Sequence, residues 1–134
     1  MGKKKILFVC VENAGRSQMA EGFLRKFGSG YDVISAGTSP SSHLNPTVVQ
    51  AMREIGIDIS QQKPALLTSN MIEDSLAVNM GCIDKESCPA LFVKDILDWN
   101  IPDPKNQPIE EVRKIRDKIK YQVLELLKTL EKQS

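Results

Sequence analysis

The sequence predicts an α/β fold: a single-domain, three-layer sandwich in which a four-stranded parallel sheet carries helices on both faces. One observation is the continuous apolar run Lys5–Cys10, which is typical of a strand buried on both faces. Another is the alternation of strand and helix patterns along the chain, which favours a mostly parallel sheet. A length of 134 residues suffices for one hydrophobic core, so we expect residues 1–134 to form one domain.

Turn and capping residues divide the chain into seven predicted elements. Gly28 ends the first helix, Asn45 and Pro46 begin the second, and Pro108 begins the last. The last helix has the clearest pattern, because its apolar residues recur every three or four positions. The expected strands are Lys5–Cys10, Tyr31–Ser35, Leu76–Met80 and Ala90–Val93, with a continuation of the fourth toward Leu97 left open. The expected helices run from Ser17 to Phe27, from Pro46 to Ile55, and from Pro108 along the apolar stripe Ile109, Val112, Ile115, Ile119, Val123, Leu126 and Leu130.

The charge balance of the chain argues against polyanionic partners. With 18 Lys and Arg against 17 Asp and Glu, the formal net charge is +1, so no nucleic-acid partner is expected. The apolar run that follows the N-terminal lysines is too short for a signal peptide, and no run is long enough to span a membrane. We therefore expect a cytoplasmic, monomeric protein that does not associate with membranes.

The segment Cys10–Ser17 joins the first strand to the first helix and predicts an oxyanion site. Such a loop presents backbone N–H groups and the positive end of the helix dipole. Gly15 permits a sharp turn, and Arg16 can bind two oxygens of a tetrahedral anion at once. This positive setting lowers a thiol pKa from about 8.5 toward roughly 3.5–7.5, which favours Cys10 as a nucleophile, and the Ser17 hydroxyl can donate a hydrogen bond to its thiolate. The residues expected to surround the anion are Val11, Glu12, Asn13, Ala14, Gly15 and Arg16, with the carboxylate of Glu12 expected to point to solvent.

Cys82 and Cys88 bring the cysteine total to three, which argues against a structural disulfide framework in a chain without an export signal. Because Cys82 follows the third predicted strand and Cys10 ends the first, a parallel sheet brings both to the same edge. The alternatives are buried apolar cysteines, a zinc site of the three cysteines with His43, or thiol chemistry. The zinc alternative lacks the usual closely spaced ligand pairs, and a purely structural module would leave the loop pattern as coincidence.

The segment Val9–Glu21 resembles the phosphate loop of the low-molecular-weight protein tyrosine phosphatase superfamily, and the resemblance extends over essentially the whole chain. Asp103 and Pro104 match the late Asp-Pro pair that carries the general acid in that superfamily. Within it, Cys82 and Cys88 resemble the redox pair of thioredoxin-coupled arsenate reductases. The resemblance implies that Cys10 attacks arsenate, that Cys82 and Cys88 carry the oxidation away as a disulfide, and that thioredoxin restores the thiols.

The resemblance also implies which ligands and cofactors to expect. Arsenate is the expected substrate, with phosphate or sulfate as analogues, and an external thiol reductant takes the place of a tightly bound cofactor. Asn13, Glu21 and Ser35 resemble residues that line a potassium site in some of these reductases, although Ala65 stands near where a further acidic ligand is expected. The alternative function is a phosphatase that hydrolyses phosphotyrosine or small phosphoesters through a cysteinyl-phosphate, because the loop alone does not separate arsenate from phosphate.

Overall fold

The parallel α/β sheet expected from the sequence is present in the computed structural model, which describes residues 4–81 and 96–133. The sheet has four strands in the order β2-β1-β3-β4, and all neighbouring pairs are parallel. The predicted fold class is therefore confirmed. The strands are β1 (Lys4–Cys10), β2 (Tyr31–Gly37), β3 (Leu76–Asn79) and β4 (Leu97–Asp98). The helices are α1 (Arg16–Phe27), α2 (Pro46–Arg53), α3 (Ser69–Glu73) and α4 (Ile109–Gln133).

Strand β1 lies between two neighbours and is buried on both faces, as its apolar run predicts. It pairs with β2 from Lys4 opposite Tyr31 to Cys10 opposite Gly37, and with β3 on its other side. Its central residues, Ile6, Leu7, Phe8 and Val9, are fully buried. A strand with ladder partners on both sides and apolar packing on both faces holds its last residue in a fixed place.

Helices cover both faces of the sheet. Helices α1, α2 and α4 pack over the face that carries Ile6 and Phe8, and they form the larger core. Helix α3 contributes Ile72 to a smaller core with Leu7 and Val9 on the opposite face. The apolar stripe of α4 is confirmed as core: its buried members are Val112, Ile115, Ile119, Val123, Leu126 and Leu130.

Two details differ from the sequence-based expectation, and the predicted fourth strand is not tested. The described strand beside β3 is Leu97–Asp98, while the predicted strand Ala90–Val93 lies outside the described residues. Helix α2 ends at Arg53 rather than Ile55, because the backbone tightens into a turn and Gly56 takes a left-handed φ of 81°. Helix α3 was not expected, since one short turn capped by Thr68 offers no apolar period to detect.

No helix in the described part of the chain combines the length and the apolar character that crossing a membrane requires.

Candidate active site

Cys10 lies at the carboxyl end of β1, where ligands bind in open parallel sheets. Its side chain lines a cavity of about 680 Å³, and the residue is only 5% exposed. Arg16 and Asp103 line the same cavity, although 93 residues of sequence separate the cysteine from the aspartate. The fold therefore brings together the nucleophile, the cation and the acid that the sequence suggested.

The loop between β1 and α1 is held by Asn13, which points into the protein rather than into the cavity. Asn13 is fully buried and has a left-handed φ of 53°, a conformation that asparagine tolerates better than most residues. Its Nδ2 donates to Ser17 Oγ at 2.7 Å, and its Oδ1 accepts from the backbone N–H of Ala65 at 2.9 Å. The other predicted loop residues line the cavity; they are Val11, Glu12, Ala14, Gly15 and Arg16.

Two glutamines form a second layer of support that the sequence analysis missed. Gln18 is fully buried, and its Nε2 donates to the Asn13 carbonyl at 2.9 Å and to the Lys63 carbonyl at 3.2 Å. Gln62 then donates to Gln18 Oε1 at 2.7 Å. The sequence signal for Gln18 was a polar residue on the buried side of a helix. No local pattern pointed to Lys63 or Gln62 as its partners.

Gly37 is a further missed residue, and it fixes the first part of the loop. A Cβ added at Gly37 would overlap the carbonyl oxygen of Val11, so only glycine allows this close approach. The backbone of Gly37 is itself held, because its N–H donates to the Ala65 carbonyl at 2.8 Å and its carbonyl accepts from Leu67 at 2.9 Å. A glycine two positions beyond the end of a predicted strand was the available signal for such a contact.

Arg16 begins α1 and is 9% exposed. Its Nη1 donates to the Ile101 carbonyl at 2.7 Å, and its Nη2 lies 3.7 Å from Asp103 Oδ2. A guanidinium has five N–H donors, so these two partners orient the side chain and leave donors for an oxyanion. The buried guanidinium is thus aimed by its protein contacts before any ligand binds.

Ser17 is the second residue of α1, and the N-cap position is held by Gly15. Ser17 therefore does not act as the N-cap of this helix. Its Oγ is fully buried and accepts the hydrogen bond from Asn13. Accepting that bond leaves the hydroxyl proton available for donation, which is the property that the predicted role beside a thiolate requires.

The segment that carries Asp103 packs against the loop. Pro104 lies over Gly15, since a Cβ added to Gly15 would sit 3.0 Å from Pro104 Cγ. Asp103 Oδ1 accepts from the Lys105 backbone N–H at 3.0 Å, and its side chain is 58% exposed.

Glu12, expected to point to solvent, is 44% exposed and binds the Lys105 ammonium at 2.8 Å. The hydrogen bond and charge of Glu12, with the charge of Asp103, raise the pKa of Lys105 above its ordinary value.

The three residues suggested for a monovalent cation are bound to other protein groups, and the cation itself stays a prediction. Glu21 Oε1 accepts from Ser35 Oγ at 2.6 Å, and Glu21 Oε2 accepts from the Arg25 guanidinium at 3.0 Å. Asn13 Oδ1 is taken by a backbone N–H. The Arg25 guanidinium supplies positive charge to the buried carboxylate, and each of these oxygens keeps a further lone pair.

Cys82 and Cys88 lie outside the described residues, so the sequence remains the basis for their roles. His43 is exposed at the rim of the cavity, and its Nδ1 is 3.0 Å from Ser42 Oγ. Within residues 4–81 and 96–133, no group of three or more His, Cys, Asp or Glu side chains could hold a metal ion.

The fold and the site together define a class of protein. A buried cysteine at the carboxyl end of a central parallel strand, followed by a loop and an arginine at a helix start, is the arrangement of cysteine-dependent enzymes that act on tetrahedral oxyanions. The chain belongs to the low molecular weight phosphotyrosine protein phosphatase family, whose profile matches residues 5–134. The superfamily resemblance noted from the sequence is thus confirmed.

Arsenate reductases are among the most similar relatives. The arsenate reductase of Staphylococcus aureus strain Newman is 37% identical over 126 residues, which cover 92% of this chain and 95% of the relative. A solved arsenate reductase in the phosphate binding state has a TM-score of 0.82 at 34% identity, covering 94% of this chain and 98% of that one. A thioredoxin-dependent arsenate reductase of Corynebacterium glutamicum has a TM-score of 0.82 at 36% identity, covering 98% of this chain and 64% of that one.

Proposed function

We propose that this protein reduces arsenate to arsenite by a three-cysteine thiol relay that thioredoxin regenerates. The observation that carries the proposal is that Cys10, Arg16 and Asp103 line one cavity. The similarity to arsenate reductases over most of the chain supports the choice of arsenate. The two additional cysteines support reduction over hydrolysis, because hydrolysis through a cysteinyl-phosphate needs only one thiol.

The first step forms a bond between the Cys10 sulfur and arsenic. The thiolate attacks arsenate, which loses one oxygen as water, and Asp103 supplies a proton to that leaving oxygen. Arg16 and the loop N–H groups offset the negative charge of the remaining oxygens. The contact of Arg16 with the Ile101 carbonyl keeps the guanidinium in place during this step, so little reorganisation is required.

The next steps move two electrons from sulfur to arsenic. The Cys82 thiolate attacks the Cys10 sulfur, the sulfur–arsenic bond breaks with its electron pair remaining on arsenic, and arsenite leaves. Cys88 then attacks the sulfur of Cys82 in the resulting Cys10–Cys82 disulfide. This releases the Cys10 thiolate and leaves a Cys82–Cys88 disulfide, which the dithiol of thioredoxin reduces by exchange.

The described lining of the cavity offers few stacking partners to the ring of a phosphotyrosine. Among the described residues that line it, none is Phe, Tyr or Trp. The imidazole of His43, at the exposed rim, is the aromatic ring that this described lining offers to a phosphotyrosine. Turnover of small phosphoesters is compatible with the same loop and with the family, so we expect weak phosphatase activity beside the reductase activity.

The test is arsenate-dependent oxidation of NADPH coupled through thioredoxin and thioredoxin reductase, with no cofactor added to the protein. We expect wild-type activity over many turnovers and none for Cys10→Ser, Cys82→Ser or Cys88→Ser. Hydrolysis of p-nitrophenyl phosphate is the matched control, which Cys10→Ser abolishes and Cys88→Ser leaves intact. Arsenate reduction that continues at the wild-type rate in Cys88→Ser contradicts the relay, and phosphatase activity without any arsenate reduction in wild type identifies the alternative function.

A further inference from the structure

The Glu12 carboxylate and the Lys105 ammonium form an ion pair at the mouth of the cavity. Glu12 Oε1 lies 2.8 Å from Lys105 Nζ, and both residues line the cavity that contains Cys10 and Arg16. The two residues are 93 positions apart, so the pair joins the anion loop to the segment that carries Asp103. The pair is one of several contacts between the loop and this segment, beside Arg16 with Asp103 and Pro104 over Gly15.

A carboxylate in an anion loop is unfavourable for the loop's ligand. An oxyanion that carries two negative charges is repelled by Glu12 over distances of several ångström, within the screening length of about 8 Å at physiological salt. Asp103 adds a second carboxylate nearby, and this carboxylate lies 3.7 Å from the Arg16 guanidinium. Lys105 is the cation that faces Glu12, and the hydrogen bond and charge of Glu12 raise the pKa of Lys105.

We propose that Lys105 is a positioning residue of the anion site: by pairing with Glu12 it cancels the negative charge at the entrance, and this cancellation sets the affinity for the oxyanion. The inference rests on the proposed function in that the ligand is a tetrahedral oxyanion bound by the loop. It assigns Lys105 a role that acts through Glu12, without contact to the reacting atoms. The rival explanation is that the pair is only a mechanical link that holds the Asp103 segment down.

The two explanations predict different changes in oxyanion affinity for the two single variants. With charge cancellation, Lys105→Gln leaves Glu12 unpaired and weakens oxyanion binding by about three- to tenfold. Glu12→Gln removes the repulsion and leaves the lysine, so binding is as tight as wild type or tighter. The double variant then binds within about twofold of wild type. With a mechanical link, either single variant breaks the link, and both weaken binding to the same extent.

The experiment measures the dissociation constant of inorganic phosphate for the reduced full chain by calorimetry, at low and at physiological salt, with Tm recorded for each variant. Lys105→Gln should weaken binding, more so at low salt, and Lys105→Arg should restore it. The matched control is Lys114→Gln, because Lys114 pairs with Glu111 at 3.3 Å on an exposed face of α4 and should not affect phosphate binding.

The proposal is overturned if Glu12→Gln weakens binding as much as Lys105→Gln, or if Lys105→Gln binds phosphate as wild type does. Measuring arsenate reduction separates failure of this proposal from failure of the proposed function. Wild type that binds phosphate with the expected variant pattern but does not reduce arsenate refutes the reductase and leaves the charge cancellation intact. Where arsenate is reduced, Lys105→Gln should raise KM for arsenate by the same factor as the dissociation constant and change kcat by less than about twofold.

Discussion

Replacing Gly37 by alanine should disable the anion loop while leaving the fold in place. The new Cβ would overlap the carbonyl oxygen of Val11, and it would lie 3.0 Å from the Val11 carbonyl carbon and 3.1 Å from Asn13 Cβ. Comfortable carbon–carbon separations are about 3.5–4.0 Å, so the backbones must separate by roughly 0.5–1 Å. Gly37 is held by its hydrogen bonds to Ala65 and Leu67, so the loop is the part that moves.

The structure sets the size of the expected effect. Forcing a methyl group into a filled site typically costs about 1–3 kcal/mol, which for a domain of this length lowers Tm by roughly 3–12 °C. A displacement near 1 Å in a loop next to the nucleophile can lower the rate by about 10²-fold. We therefore expect Gly37→Ala to lose about two orders of magnitude in kcat/KM for arsenate, a larger loss than its stability alone would cause at a temperature well below Tm.

The assays are thermal unfolding by circular dichroism and the thioredoxin-coupled reductase assay, both run on Gly37→Ala and on Gly30→Ala. Gly30 is the matched control, because nothing lies within 4 Å of a Cβ added there. Gly30→Ala should keep wild-type activity. If Gly37→Ala unfolds within 1 °C of wild type and keeps its kcat/KM, the close approach of β2 to the loop does not shape the site, and the reasoning fails.

Three further predictions concern ionised side chains and a monovalent cation. The hydrogen bonds from Arg113 to Glu54 hold the pKa of that carboxyl below its ordinary value of 4.5. A lowered folded-state pKa stabilises the fold above pH 4.5, and this contribution is lost as the pH falls through the folded-state value. The deficit in Tm of Glu54→Gln should therefore shrink below pH 4.5, and a deficit that stays constant down to pH 3 would contradict the assignment. Arg25→Gln leaves the buried Glu21 carboxylate without its guanidinium and should cost about 1–3 kcal/mol in chemical denaturation, whereas the exposed control Arg53→Gln should cost less than about 0.5 kcal/mol. Wild type should show the same Tm and activity in potassium and in sodium salts of equal ionic strength. A requirement for potassium would show that Arg25 does not by itself balance the charge of Glu21.

The parts of the fold that could be predicted from the sequence are those with a strong local signal. Strand β1 is a continuous apolar run because it is buried on both faces, and α4 repeats its apolar residues every three or four positions because one side faces the core. Cys10 and Arg16 could be predicted because strand, loop and helix start are consecutive in the sequence. Asp103 was found only through the resemblance to a family, since an Asp-Pro pair alone is typical of a turn.

The supports of the site could not be predicted, because they depend on contacts between distant residues. Gln18 and Gln62 are ordinary polar residues until the fold places them in contact, 44 positions apart. Lys105 has no local pattern, and its relevance arises only from the position of Glu12 across the cavity entrance. Helix α3 is too short to show a period, and β4 has two residues, which is below what an alternating pattern can reveal.

The contact between Arg16 and the Ile101 carbonyl has a consequence for how the protein is made. Cys10 and Arg16 leave the ribosome before Ile101, whose carbonyl aims the arginine and follows 85 positions after it. The conformation of the loop also depends on Ala65, whose backbone N–H donates to Asn13 Oδ1. A nascent chain therefore carries its reactive sulfur without the contacts that order the anion loop until the segment around Ile101 has left the ribosome.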